Sequence, residues 1–181
     1  MPKSREQLRL VGHADARIAW QEDGDASLPV LVMGNSLGSD IGSWDPVATA
    51  LSERFRVIRF DARGHGASAL EASARGVDYS IELLARDALA VADAAGAARF
   101  HFVGVSIGGM IGQSLGIHHA GRVKSLMLCD TQACSPADAA TRWGPRIEAV
   151  LKANSLEPIA DATIARWLTT DYKNAHPARW Q

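Results

Sequence analysis

The chain has 181 residues, of which 47% are apolar and 22% charged, with a formal net charge of −1. That is enough apolar material for one sizeable core, and so even a charge balance excludes a polyanion-binding surface, so nucleic acid is not an expected partner. The first twenty residues are charged and lack an apolar h-region, and no stretch reaches bilayer-spanning length, so no secretory signal and no membrane partner are expected. In chain order, residues 17–21 predict an early strand and residues 22–25 the turn after it. Residues 30–33 read as a buried strand, followed by the loop Gly34-Asn35-Ser36-Leu37-Gly38. Trp44-Asp45-Pro46 opens a helix to about Leu51, with Asp45 as cap and Pro46 at the first helical position. Residues 56–60 form the next strand, leading into Asp61-Ala62-Arg63-Gly64-His65-Gly66. Ser80 is placed to cap a helix whose apolar face is Ile81, Leu84, Ala88, Val91 and Ala95, and Gly96 to stop it. Residues 100–103 are a strand, a helix runs from just after Ser106 to about His119, and residues 123–129 read as a buried strand. Beyond Ser135-Pro136 the strand pattern gives way to alanine-rich helical segments carrying Trp143, Trp167 and Trp180.

Strands alternating with helices predict an α/β architecture with a mostly parallel sheet and helices on both faces. Within it, Gly104-Val105-Ser106-Ile107-Gly108 fits the G-x-S-x-G turn that forces a serine into a tight strand-to-helix bend and exposes its hydroxyl. A strand before and a helix after are the context this turn needs. Ser106 is therefore the candidate nucleophile. Acyl transfer puts negative charge on a carbonyl oxygen, and two backbone N–H groups stabilise it. One belongs to the residue after the nucleophile, Ile107. The other comes from the loop after an earlier strand, here Leu37. The two cysteines, Cys129 and Cys134, make neither a disulfide framework nor a zinc site. No metal is expected, and a reducing cytoplasm is the expected compartment.

Further segments accompany these: Gly34-Asn35-Ser36-Leu37-Gly38-Ser39-Asp40, Trp44-Asp45-Pro46, Asp61-Ala62-Arg63-Gly64-His65-Gly66-Ala67-Ser68, Tyr79-Ser80-Ile81, Ile111-Gly112-Gln113 and Leu128-Cys129-Asp130-Thr131. In this order they resemble the 3-oxoadipate enol-lactonases, α/β-hydrolases of the β-ketoadipate pathway of aromatic catabolism. The resemblance runs from about Arg17 onward. It implies hydrolysis of a small lactone, 3-oxoadipate enol-lactone, to 3-oxoadipate, without metal or organic cofactor. Another serine esterase or a cofactor-free perhydrolase on the same scaffold is the alternative, as is a catalytically incomplete fragment.

The fold orders its triad serine, acid, histidine. His13, His65 and His101 precede Ser106. His118 lies about 18 Å along the helix from it, and His176 fits no triad position. Asp130, ending the strand at 123–129, is the candidate acid, with a self-capping loop aspartate as the equal alternative. The histidine is expected beyond this chain. Residues 1–135 are read as the N-terminal part of the hydrolase core and 136–181 as the start of a helical lid, truncated there. Trp143 and Arg146 in that lid are candidates to line a pocket for a carboxylated lactone. A sheet ending at Cys129 leaves an uncovered edge, so aggregation or pairing, with another chain or a missing C-terminal portion, is expected.

Overall fold

Residues 8–70 and 79–179 are described in the computed structural model; Trp180 lies outside them. The chain divides into two compact units, Met1–Ala133 and Cys134–Gln181.

The first unit is built on seven strands: β1 (Arg9–His13), β2 (Ala16–Asp23), β3 (Val30–Gly34), β4 (Arg56–Phe60), β5 (Ala69–Leu70), β6 (Phe100–Val105) and β7 (Val123–Cys129). They form one sheet in the order β1-β2-β4-β3-β6-β7, with β5 paired to β2. Pairs β4–β3, β3–β6 and β6–β7 are parallel, whereas β1, β2 and β5 add antiparallel contacts. Helices α1 (Asp45–Leu51), α2 (Ile81–Ala94) and α3 (Ile107–His118) complete the unit.

Strand alternation divides the apolar residues between two cores. Val32, Ile58, Phe60, Phe100 and Phe102 pack with Leu84, Ala88 and Val91 of α2 and Ile111 and Leu115 of α3. Leu31, Met33, Val57 and Val103 pack on the opposite side with Ala48 of α1 and Trp44. Residues buried on both faces explain why these strands read as short continuous apolar runs. The crossover from β3 leads to β4 on one side, and the next leads over to β6 on the other. The order thus reverses around β3, and the loops after β3 and β6 meet where such sheets place their sites.

Ser80 caps α2 through Leu83 N–H (3.1 Å), and Gly96 leaves it at φ +70°. Asp45 departs from expectation. It is the first residue of α1 rather than its cap, which is Trp44, and its carboxylate pairs with Arg59 (2.6 Å). The aspartate that caps here is Asp40, accepting Gly42 N–H (2.9 Å) at the start of a 3₁₀ turn over Ile41–Trp44. The expectation of a buried strand at 123–129 is also corrected. β7 is outermost in the sheet order, with β6 on one side only, so its residues are largely exposed, Met127 by 64%.

A buried ion cluster ties the hairpin β1–β2 to α2. The Arg63 side chain is fully buried and grips Asp87, 1% exposed, through Nε (2.7 Å) and Nη2 (2.6 Å). Nη1 reaches Asp15 (2.7 Å), and His13 Nδ1 lies 2.6 Å from Asp87. The hydrogen bonds that Arg63 donates to Asp87 raise its pKa above the ordinary range despite burial.

The second unit contains α4 (Ala139–Ala153), α5 (Glu157–Trp167) and α6 (Thr170–Ala175). No helix among the described residues is long and apolar enough to cross a membrane.

Candidate active site

Ser106 stands between the last residue of β6 and the first of α3 at φ 55°, ψ −116°. A non-glycine residue holds such a backbone only when its surroundings over-determine it. Three bonds do so here. Ser106 N–H donates to the Cys129 carbonyl (3.0 Å), and its own carbonyl accepts from Met110 N–H (3.2 Å) and Thr131 Oγ1 (2.7 Å). Close packing does the rest. A Cβ on Gly104 would lie 2.1 Å from the Gly108 carbonyl oxygen, and one on Gly108 would lie 2.3 Å from that of Gly34. Both flanking glycines of the turn are therefore required by backbone on the other side. The Ser106 hydroxyl, in a half-buried residue, has no hydrogen-bond partner among the described residues.

The loop after β3 is pressed against this elbow. Gly34 pairs with Gly104 across the β3–β6 ladder, and the Asn35 carbonyl oxygen lies 2.9 Å from the point a Gly108 Cβ would occupy. Gly38 turns the loop at φ +78°, and Ser39 closes it on the Ser36 carbonyl through N–H (3.2 Å) and Oγ (2.9 Å). Asp61 fixes its far end, accepting Ile41 N–H (2.7 Å) and Ala67 N–H (2.8 Å). Burial pushes the Asp61 carboxyl above its usual range, opposed by these two N–H groups. Leu37 is exposed at the tip, and Ile107 packs on the core at the start of α3. Neither backbone N–H finds an acceptor among the described residues.

Asp130 follows directly on the Cys129 carbonyl that anchors Ser106. It is exposed, with left-handed backbone at φ 43°. The histidines are engaged elsewhere. His13 meets Asp87, His65 Nδ1 lies 3.1 Å from the Arg63 carbonyl, and His101 Nδ1 lies 2.8 Å from Ser125 Oγ. His118 ends α3 exposed. His119, the residue that follows α3, has its Nε2 3.0 Å from Glu82, which also accepts from Ser114 Oγ (2.7 Å). Within the second unit, the Arg146 guanidinium stacks over the Trp143 ring at 5.2 Å, and His176 lies against the Tyr172 ring. Arg146 and Arg166 also border a groove of about 290 Å³ between α4 and α5. No cluster of three or more potential metal ligands occurs among the described residues. The feature that sequence reasoning missed is Asn35: it was read as part of a motif, with nothing to show that its side chain would be buried.

The chain is similar to known proteins over most of its length. The chain is 35% identical over 174 residues to 3-oxoadipate enol-lactonase 1 of Acinetobacter baylyi, which is 95% of this chain and 62% of that protein. It is 31% identical to enol-lactonase 2 of the same organism over 90% of this chain and 58% of that one. The chain thus spans about three fifths of these relatives. The enol-lactonase from Burkholderia xenovorans LB400 superposes with a TM-score of 0.81 at 35% identity, covering 94% of this chain and 64% of that structure. A hydrolase from Pseudomonas aeruginosa PA01 gives 0.82 at 35% identity, with 98% and 64% covered. A family model described as alpha/beta hydrolase fold matches residues 29–175. With most of its length matched to that family, the chain belongs to the α/β-hydrolase fold.

Proposed function

We propose that the protein hydrolyses a carboxylic ester or lactone through Ser106, and that its substrate is 3-oxoadipate enol-lactone, opened to 3-oxoadipate in the β-ketoadipate pathway. The observation that carries this reading is the Ser106 backbone, held at φ 55° by bonds with the end of β7, with Thr131 beyond it and with Met110 of α3, its hydroxyl left unbonded. The enol-lactonase relatives support the choice of substrate.

In this reading Ser106 Oγ attacks the lactone carbonyl, and its proton passes to a base. Charge on the carbonyl oxygen is held by the N–H groups of Leu37 and Ile107, each worth about 3–4 kcal/mol to the transition state. Collapse breaks the C–O bond to the enol oxygen, which takes up the proton. Water then releases the acyl group from Ser106, and the enol tautomerises to the ketone. None of these steps requires a metal or organic cofactor. Asp130, beside the anchor of Ser106, is the candidate acid. The histidine base is assigned to the part of the relatives' length that this chain does not span. Trp143 and Arg146 supply an aromatic face and a cation suited to a carboxylated substrate. The same reading pairs the open β7 edge with that further portion or with another chain. It places the protein in the cytoplasm, where two free cysteines suit a reducing medium.

The test uses the protein over the relatives' full length, including the portion to which the histidine base is assigned, with the lactone and a simple aryl ester side by side. Ser106→Ala should cut kcat by about a million-fold with the far-ultraviolet spectrum unchanged, and a fluorophosphonate should label the wild type but not the variant. Near-normal turnover by Ser106→Ala would sink the mechanism. Ester turnover without lactone turnover would reassign the substrate.

A further inference from the structure

We propose that Asn35 is a positioning residue for the oxyanion loop, its buried carboxamide holding the backbone of residues 35–38 through a bound water. The proposal rests on the hydrolytic reading of Ser106. Asn35 is 4% exposed, yet neither its Oδ1 nor its Nδ2 has a hydrogen-bond partner. Burying a carboxamide unpaired is costly, and native proteins meet such groups with ordered water or a ligand.

The location is specific. Three polar side chains further along this segment are paired within the chain: Ser39 with the Ser36 carbonyl, Asp40 with Gly42 N–H, and Ser43 with the Asp40 carbonyl. Asn35 is both buried and unpaired, and it stands two residues before Leu37 with its backbone against Gly108 of the elbow. Six buried side-chain polar atoms lack partners among the described residues, and four of them belong to this region. Two are on Asn35 and one is the Trp44 indole N–H. The fourth is Nε of Arg59, whose Nη1 donates to the Ile41 carbonyl (3.2 Å). Two of these atoms thus lie on the loop whose N–H must be aimed at the reacting oxygen, and the other two on Trp44 and Arg59, at the 3₁₀ turn into which that loop leads. Local rules broken at one place are the mark of a site that function shapes.

An interaction that only aims an oxyanion donor acts in the transition state, so its loss lowers kcat and leaves KM nearly alone. Asn35→Leu replaces the carboxamide with an apolar group of similar size. In the same full-length protein, which includes the portion assigned the base, kcat for the lactone should fall about 10- to 100-fold with KM within about twofold. The melting temperature should change little, because an apolar group of similar size replaces both the carboxamide and its water. Asn35→Ala should show the same kcat loss and serves if the leucine variant does not fold. Unchanged kcat in both variants would overturn the proposal, as would a raised KM at constant kcat, which would put Asn35 against the substrate itself. A fall in melting temperature for Asn35→Leu without loss of kcat would make the side chain purely structural. A wild type that opens neither lactone nor ester would overturn the proposed function and this role together. An active wild type with an equally active Asn35→Leu would overturn this role alone.

Discussion

Replacing Gly108 with alanine tests how firmly α3 is seated on the sheet. The added methyl would lie 2.3 Å from the Gly34 carbonyl oxygen, 2.6 Å from its carbon and 2.9 Å from the Asn35 oxygen. The first contact is about 1 Å inside the separation at which non-bonded atoms attract. The obstacles are backbone atoms of a strand paired on both sides, so no rotamer change relieves them. Overpacking of this kind costs about 1–3 kcal/mol, and a rigid backbone places Gly108 at the upper end. Alanine returns up to about 1 kcal/mol through helix propensity, leaving a net loss of about 2 kcal/mol. For a chain of this size each kcal/mol moves the melting temperature by about 2–4 °C, so a fall of about 4–8 °C is expected. The control is Gly121→Ala, exposed and with nothing within 4 Å of its added methyl, which should stay within about 0.5 kcal/mol of wild type. Urea unfolding followed by circular dichroism, with thermal melts of both variants, makes the comparison. A Gly108→Ala protein as stable as Gly121→Ala would refute the close packing on which the elbow rests.

Arg63→Met leaves Asp87 buried without its partner and should cost about 3–5 kcal/mol, whereas adding Asp87→Leu should recover much of that. A double variant no more stable than Arg63→Met in the same denaturation series would rule out the ion cluster as the cause. Glu82 is held below its ordinary pKa of 4.5, first by the Ser114 hydroxyl and next by His119. A depressed carboxylate stabilises the fold above its unfolded value and loses that contribution as pH falls through the lower folded one. Glu82→Gln should therefore cost less than about 1 kcal/mol near pH 6, given the partial exposure of Glu82. Its deficit should vanish toward pH 3 in a pH series of melts; a deficit that grows on acidification would contradict the assignment.

The sequence was most legible where covalent geometry alone dictates structure. Ser80, Gly96 and the Gly104–Gly108 turn each mark a local requirement, for a capping hydroxyl, a positive φ and an absent Cβ in turn, and all three stand where they were read. Asp45 was misread because a carboxylate before a proline looks like a cap, and only the fold brings Arg59 to it. Strand β1 and the two-residue β5 carried no apolar run to betray them. The burial of Arg63 with Asp87, 24 residues apart, and of Asn35 arises from packing between distant segments, which no local pattern encodes. The residues 123–129 were read as buried because their composition is apolar; exposure depends on what lies beyond β7 in the sheet, not on β7 itself.

The outermost strand also carries a mechanical burden. Ser106 is anchored by the carbonyl that ends β7 and by the threonine two residues beyond it. Edge strands fray first, opening at a fraction of the free energy needed to unfold the whole molecule. Each time β7 lifts, the nucleophile loses two of the three bonds that hold its strained backbone. The durability of the serine's pose is thus governed by the sheet's loosest member, and anything that clamps that edge steadies the serine from behind.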